Sequence, residues 1–241
     1  PSCVAVTGEE NEVKAIGKDA KNLIGKTAEY TSIIYPIYEG EIVDMRLAIE
    51  MLKEFFARIG LKPSALRRTQ VALSVPCGAT EEVLSDYAVL AEECGLRKVY
   101  FIEQPYLAAV GAGAVFSDSD PVFCLDIGGG VSNAAVISAN GIIAGIALNV
   151  GGKRIDNNIM KKMREDYNLM IGELTAERVK NSIGSLAIGP GGSTVVEGSS
   201  TETYQPDSQS VQAMNLNGTI RDCVDQIMKY AVGVLWNLPA E

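Results

Sequence analysis

The sequence contains no histidine. That absence removes Ser-His and Cys-His nucleophilic catalysis and most zinc sites, because each needs an imidazole as base or ligand. The five cysteines, at positions 3, 77, 94, 124 and 223, are too widely spaced for a CxxC metal pair. Cys124 falls in an apolar run and reads as a small core residue. No apolar run reaches membrane-spanning length and no signal-peptide pattern is present, so the chain reads as cytoplasmic with reduced thiols. Basic residues are in deficit, with 21 Lys and Arg against 30 Asp and Glu, a formal charge of −9. A field of that sign repels phosphate backbones and argues against nucleic acid as a partner. It also weakens attraction to anionic lipid, although a local basic loop can still touch a membrane. A nucleotide stays possible, since backbone amides and a divalent cation hold phosphates whatever the net charge.

What is present is a globular α/β pattern. Apolar residues make up 47% of 241 positions, enough for a sizeable core in one large or two modest domains. A strand at 3–6, a polar turn at 8–11 and a strand at 13–16 open the chain. A short helix at 19–23 and an extended segment at 33–37 follow. Apolar residues at 45, 48, 49, 52, 55, 56 and 59 recur in steps of 3 and 4, which predicts an amphipathic helix capped by Asp44. Strand 71–75, a helix from Thr80 to near Gly95, strand 99–102 and a helix at 106–115 give the rhythm of a parallel sheet. An antiparallel meander is then expected at 121–125, 134–138 and 142–150, with Asn140-Gly141 as its hairpin signal, running into a helix at 155–167. The segment 184–212, rich in Gly, Ser, Thr and Gln, reads as a loop with short strands or a flexible excursion. Helical spacing returns at 219–238. The element order suggests a duplicated unit clipped at both ends.

The chemistry concentrates at Asp126-Ile127-Gly128-Gly129-Gly130, between two apolar strands. Three glycines let the backbone approach a phosphate and aim N–H groups at it. An aspartate at the strand end suits a hydrated Mg²⁺. By itself the motif is equally compatible with an ordinary glycine-rich turn. The motif resembles the second phosphate-binding hairpin of the superfamily of actin, heat-shock chaperones and sugar kinases. Further segments resemble the bacterial MreB family of actin-like proteins: Ala15–Lys21, Leu23–Thr27, Pro36 with Glu39–Asp44, Val75–Glu81, Ile102-Glu103-Gln104-Pro105 with Ala108–Gly113, Tyr167–Glu173 and Thr175–Gly184. They run in order over about residues 1–185 and more weakly over 215–241.

The resemblance implies an actin-like ATPase fold of two RNase H-like halves with a nucleotide cleft between them. The halves would span 1–119, with a small subdomain about 8–41, and 120–241, with a small subdomain about 161–209. It further implies that the first phosphate hairpin and the Gly-rich adenosine motif lie outside the chain. The implied function is slow ATP hydrolysis coupled to self-assembly into filaments that organise cell-wall synthesis and rod shape. ATP and Mg²⁺ are the implied cofactors. The membrane surface, at the inner face of the cell membrane, and the wall-elongation machinery are the implied further partners. Gln104 would orient the attacking water where MreB usually carries Glu, and Asp126 would hold Mg²⁺ through water. Gly128, Gly129 and Gly130 would bind phosphates. Ser132 would donate to a phosphate oxygen, and Gly151 and Gly152 would add a close backbone approach. Glu177 and Lys180, sharing a helix face, would meet the ribose and adenine edge. Val131-Ser132-Asn133 replaces the usual Thr-Thr-Glu of MreB, and Lys153 replaces an acidic residue. The loop 60–69, with Leu61, Leu66, Arg67 and Arg68, matches a membrane-touching loop of the family. On the residues alone, Gln104 is also readable as a helix cap, and Glu177 with Lys180 as a surface ion pair. A non-polymerising chaperone-type ATPase and a degenerate, nucleotide-free scaffold remain the alternative functions.

Overall fold

The computed structural model describes residues 1–8, 11–26, 30–117, 119–187, 189 and 191–238. The expected polar turn at 8–11 and the glycine-proline core of 184–212 therefore lie partly outside the described residues. The chain forms two compact units. The first holds Pro1–Asp126 and Asn133–Ala147, and the second holds Ile127–Ser132 and the described residues from Leu148 onward. This is a partition by proximity. The expected halves, 1–119 and 120–241, are a partition by repeated element order, which compactness does not decide.

In the first unit, β1 (Val4–Thr7) lies between β2 (Glu12–Ile16) and β3 (Thr31–Ile34), antiparallel to both. Helix α1 is one turn, Lys18–Lys21, and β4 (Ile37–Tyr38) and β5 (Glu41–Ile42) form a small hairpin. Its two central residues, Glu39 and Gly40, have φ of 51° and 86°, the left-handed pair that a tight hairpin turn demands. Helix α2 (Met45–Arg58) begins where Asp44 accepts the Leu47 N–H at 2.9 Å, so the capping expected of Asp44 is present. Its buried Leu47, Ala48 and Met51 face the first sheet and the neighbouring core.

The loop expected to meet a membrane contains a helical turn, α3 (Pro63–Leu66). Leu66 is buried and Leu61 packs beside it in the core of this unit. Leu66 is thus committed to the core, while Leu61 keeps part of its surface exposed. Arg67 and Arg68 are exposed, as are Lys62, Pro63 and Ser64 of the same loop.

Strands β6 (Gln70–Val75) and β7 (Lys98–Glu103) are parallel, joined through α4 (Glu81–Glu93), with Val75 opposite Glu103 at their C-terminal ends. That register sets the loop after β6 beside the start of α5 (Gln104–Gly111). Helix α5 starts two residues earlier than the spacing predicts, because Pro105 is tolerated in a first turn. The meander is β8 (Val122–Ile127), β9 (Ser132–Ser138) and β10 (Gly141–Leu148), with β9 in the middle. All seven residues of β9 are buried, so its polar members need partners. The turn joining β9 to β10 is Ala139-Asn140, one residue earlier than expected, with Gly141 at φ 113° opening β10.

In the second unit, α6 (Gly152–Tyr167) ends at Asn168, whose left-handed φ of 51° closes the helix. Strand β11 (Leu169–Met170) and α7 (Glu173–Ile183) follow. The segment expected to be a loop with short strands or a flexible excursion carries β12 (Ser193–Ser200) and β13 (Pro206–Gln212), an antiparallel pair in unbroken register joined to β11. Helix α8 (Ala213–Trp236) begins six residues before the predicted 219. One core unites them, with Ile159, Met163, Val179, Val196, Val211 and Leu216 at its centre.

Candidate functional site

The glycine turn of the second unit is closed on itself and on the start of α6. Gly128 N–H donates to Val131 O at 2.9 Å. Gly152 N–H donates to Gly128 O at 3.0 Å and Lys153 N–H to Gly129 O at 2.8 Å. The first two free amides of α6 are thus capped by backbone carbonyls. A side chain at Gly151 would bring its Cβ within 2.5 Å of Gly128 O and 2.7 Å of Gly129 O. Glycine is required there by this close approach, since Gly151 is in extended backbone. The Ser132 hydroxyl, buried, donates to Val150 O at 2.6 Å.

These bonds engage three groups of the expected site. Gly128 and Gly152 spend their amides inside the turn, and Ser132 spends its proton on Val150. None of those three protons points to a phosphate in this conformation. Gly151 and Gly152 lie against the turn itself. The amides of Gly129 and Gly130 are different: among the described residues they have no hydrogen-bond partner. A Cβ at Gly129 would meet nothing within 4 Å, so this edge of the turn is open. Two adjacent unspent N–H groups held by a rigid turn are chemically suited to an anion.

Lys180, on α7, packs against the same turn. Its Nζ lies 2.9 Å from Asp156 Oδ1, donates to Asp156 Oδ2 at 3.0 Å and to Gly152 O at 3.2 Å. The ammonium is therefore committed to a buried carboxylate and to the first turn of α6. Burial pushes the Asp156 carboxyl above its ordinary value; Lys180 opposes this, and the charges of Glu177 and Glu173 add to it. Glu177 stays half-buried on the Lys180 face of α7. Asp156 is a residue that reading of the sequence missed. The available signal was its place on the buried stripe of α6, with Ile159 and Met163 one and two turns on.

In the first unit, Gln104 and Asn133 come together. Asn133 is fully buried in β9; its Oδ1 accepts the Cys77 N–H at 3.0 Å and its Nδ2 donates to Gln104 Oε1 at 2.7 Å. Gln104 makes no side-chain cap bond, and the N-cap position belongs to Glu103, so the helix-cap reading of Gln104 is set aside. Glu103 Oε1 accepts the Gly78 N–H at 2.5 Å. Burial, with a smaller contribution from Glu103, pushes the Cys77 thiol up to about 12, so it is no nucleophile. Asp126, near the end of β8, is half-buried, and among the described residues its carboxylate makes no hydrogen bond or ion pair. An uncommitted carboxylate in such a place fits a hydrated cation.

Comparison with known proteins completes the description. The family model for MreB/Mbl proteins matches residues 1–241. The cell shape-determining protein MreB of Escherichia coli (strain K12) is 36% identical over 189 residues, covering 77% of this chain and 54% of that protein. The chain thus spans about half the length of such curated relatives. The cell shape-determining protein Mbl of Bacillus subtilis (strain 168) is 28% identical over 242 residues, covering 100% of this chain and 72% of Mbl. The crystal structure of MreB5 of Spiroplasma citri bound to AMPPNP superposes with a TM-score of 0.92 at 30% identity, over 100% of this chain and 72% of that one. The MamK double helical filament, at 14% identity, shares the fold with a TM-score of 0.77 over 99% of this chain. The fold is that of the actin-like ATPases. With a family match that runs from its first residue to its last and a backbone that follows MreB5 throughout, this chain belongs to the MreB/Mbl family.

Proposed function

We propose that this chain forms the greater part of an ATP-binding, slowly hydrolysing actin-like protein that polymerises into filaments organising cell-wall synthesis and rod shape. The observation that carries the reading is the superposition on an AMPPNP-bound relative over the whole chain, with the glycine turn intact. In this reading Gly129 and Gly130 donate their amides to phosphate oxygens, and Asp126 holds the hydrated Mg²⁺. Magnesium, when bound, neutralises charge on the phosphates. Gln104 holds the attacking water. Lys180 and Asp156 act from behind, fixing the first turn of α6 against the glycine turn. Self-association is supported by the filament-forming MamK relative. A peripheral cytoplasmic place beside the wall-elongation machinery follows from the same reading. No described helix is long and apolar enough to cross a membrane.

A nucleotide-free scaffold is favoured by one set of observations: Ser132, Gly128 and Gly152 all bond inward. Titration of the natural gene product with a fluorescent ATP analogue and Mg²⁺ separates the readings. Saturable binding that Asp126→Ala abolishes supports the ATPase. No binding, or binding that Asp126→Ala leaves unchanged, overturns it.

A further inference from the structure

We infer that Asn133 is the positioning residue that decides which end of the Gln104 amide faces a ligand, and that it leaves Gln104 as an N–H donor. The inference rests on the reading of Gln104 as the water-facing residue, and its first test stands apart from that reading.

One group at this junction has an orientation that is not in question. The Cys77 backbone N–H can only donate, and it lies 3.0 Å from the Asn133 side chain. The atom facing it must be the amide oxygen. The other end of Asn133 is then an NH₂ group, which can only donate, and it lies 2.7 Å from the Gln104 side chain. The Gln104 atom meeting it must be Oε1. One backbone amide therefore orients two side-chain amides in series. Asn133 is fully buried in the central strand of its sheet, so it has no water to satisfy a flipped alternative.

The free end of Gln104 is Nε2, which has no hydrogen-bond partner among the described residues. An amide NH₂ carries no basic lone pair. It can hold a water oxygen or a phosphoryl oxygen by donation, and it cannot accept a proton. In hydrolysis the water oxygen bonds to the γ-phosphorus, and the bond to the bridging oxygen breaks with its electron pair leaving on ADP. The water proton must then pass to a phosphoryl oxygen and not to Gln104.

Asparagine at 133 is what sets this polarity. In Asn133→Asp the carboxylate still accepts the Cys77 N–H but has nothing to donate, so Gln104 turns its NH₂ inward and presents Oε1. Side-chain amide hydrogen exchange of the ¹⁵N-labelled chain tests this without nucleotide. In the wild type the Asn133 NH₂ should exchange slowly and the Gln104 NH₂ fast. Gln104→Ala should speed the Asn133 NH₂ about tenfold, the loss of one hydrogen bond. Asn133→Asp should slow the Gln104 NH₂ by a similar factor. If that variant does not fold, Gln104→Ala alone still decides. A protected Gln104 NH₂ in the wild type, or an Asn133 NH₂ indifferent to Gln104→Ala, overturns the inference. On the natural gene product, Asn133→Asp should change turnover with unchanged ATP affinity, and should change nothing further in a Gln104→Ala background. Additive effects would make Asn133 merely structural. Absence of hydrolysis in the wild type would overturn the functional reading while the exchange data still decide the amide.

Discussion

At the scale of single residues the two polar pairs behave differently, and each makes its own prediction. Gln104 is anchored by one end and open at the other, so truncating it should cost little in ground-state binding. Gln104→Ala should lower turnover ~10²-fold, the usual effect of losing one transition-state hydrogen bond, with ATP affinity nearly unchanged. Gln104→Glu keeps an oxygen for Asn133 to bond and offers a second oxygen as acceptor, so its turnover should equal or exceed that of wild type. Phosphate release and nucleotide titration together check both; unchanged turnover in Gln104→Ala removes it from the reaction. Lys180 and Asp156 concern stability. Their side chains are 20% and 6% exposed. Removing one partner of a buried pair typically costs about 3–5 kcal/mol, which sets the expectation for Lys180→Met at neutral pH. The sign of the pH dependence follows from Asp156, whose folded-state carboxyl titrates above its unfolded value. Such a group binds its proton more tightly when folded. Its contribution is therefore most favourable at low pH and is lost as pH rises through the folded pKa. Without Lys180 the carboxyl titrates higher still, so the deficit of Lys180→Met should shrink on acidification toward pH 4. Urea unfolding of both proteins at pH 7.5 and pH 4.5 measures it, and a deficit that grows at low pH contradicts the pairing.

At the scale of elements, the junction of the glycine turn with α6 separates structural from functional glycines. Gly151→Ala places a methyl against two backbone carbonyls that cannot move independently, so it should lower the melting temperature and weaken nucleotide binding together. Gly129→Ala meets open space and should leave the melting temperature within a degree or two, while crowding any phosphate on that edge. Equal effects of the two changes on both measurements would contradict this division. The same elements show what the sequence displays and what it hides. Helix α2 was legible in full, because its apolar positions keep helical spacing and Asp44 advertises the start. The hairpin β12–β13 was not: only Val196 and Val211 are buried, and the ladder is held by backbone bonds between polar residues that carry no periodic signal. The first turn of α8 hid behind Asn215, Asn217 and Gly218, poor helix formers, yet Ala213 and Leu216 are drawn into the core. In the site, the glycine turn and Gln104 were visible as motifs. That Ser132 bonds Val150, that Lys180 bonds Asp156, and that Asn133 bonds Gln104 were not, since each joins residues 18 to 29 positions apart.

At the scale of the whole molecule, charge and its insensitivity to pH govern self-association. Copies carrying −9 repel, and only screening or bound cations let them approach. The Debye length falls from about 30 Å at 0.01 M to about 8 Å at 0.15 M, shorter than the separation of charges spread over two subunit faces. The fraction of chain that pellets with ATP and Mg²⁺ should therefore rise across that range of monovalent salt. The absence of histidine adds a second expectation. Between about pH 6 and 8 an unperturbed carboxylate is already ionised and an unperturbed ammonium still protonated, so histidine is the ordinary titrant of that window and this chain has none. Thiols at Cys77, Cys94, Cys124 and Cys223 are all pushed up and add no charge there. The pelleted fraction should thus stay flat from pH 6 to pH 8 at fixed salt. Sedimentation across a salt series and a pH series checks the two together. Pelleting that falls with salt would place the contacts in complementary charged patches instead, and a step between pH 6 and 8 would require a strongly shifted group at the interface. No pelleting under any condition would remove filament formation from what this chain does alone.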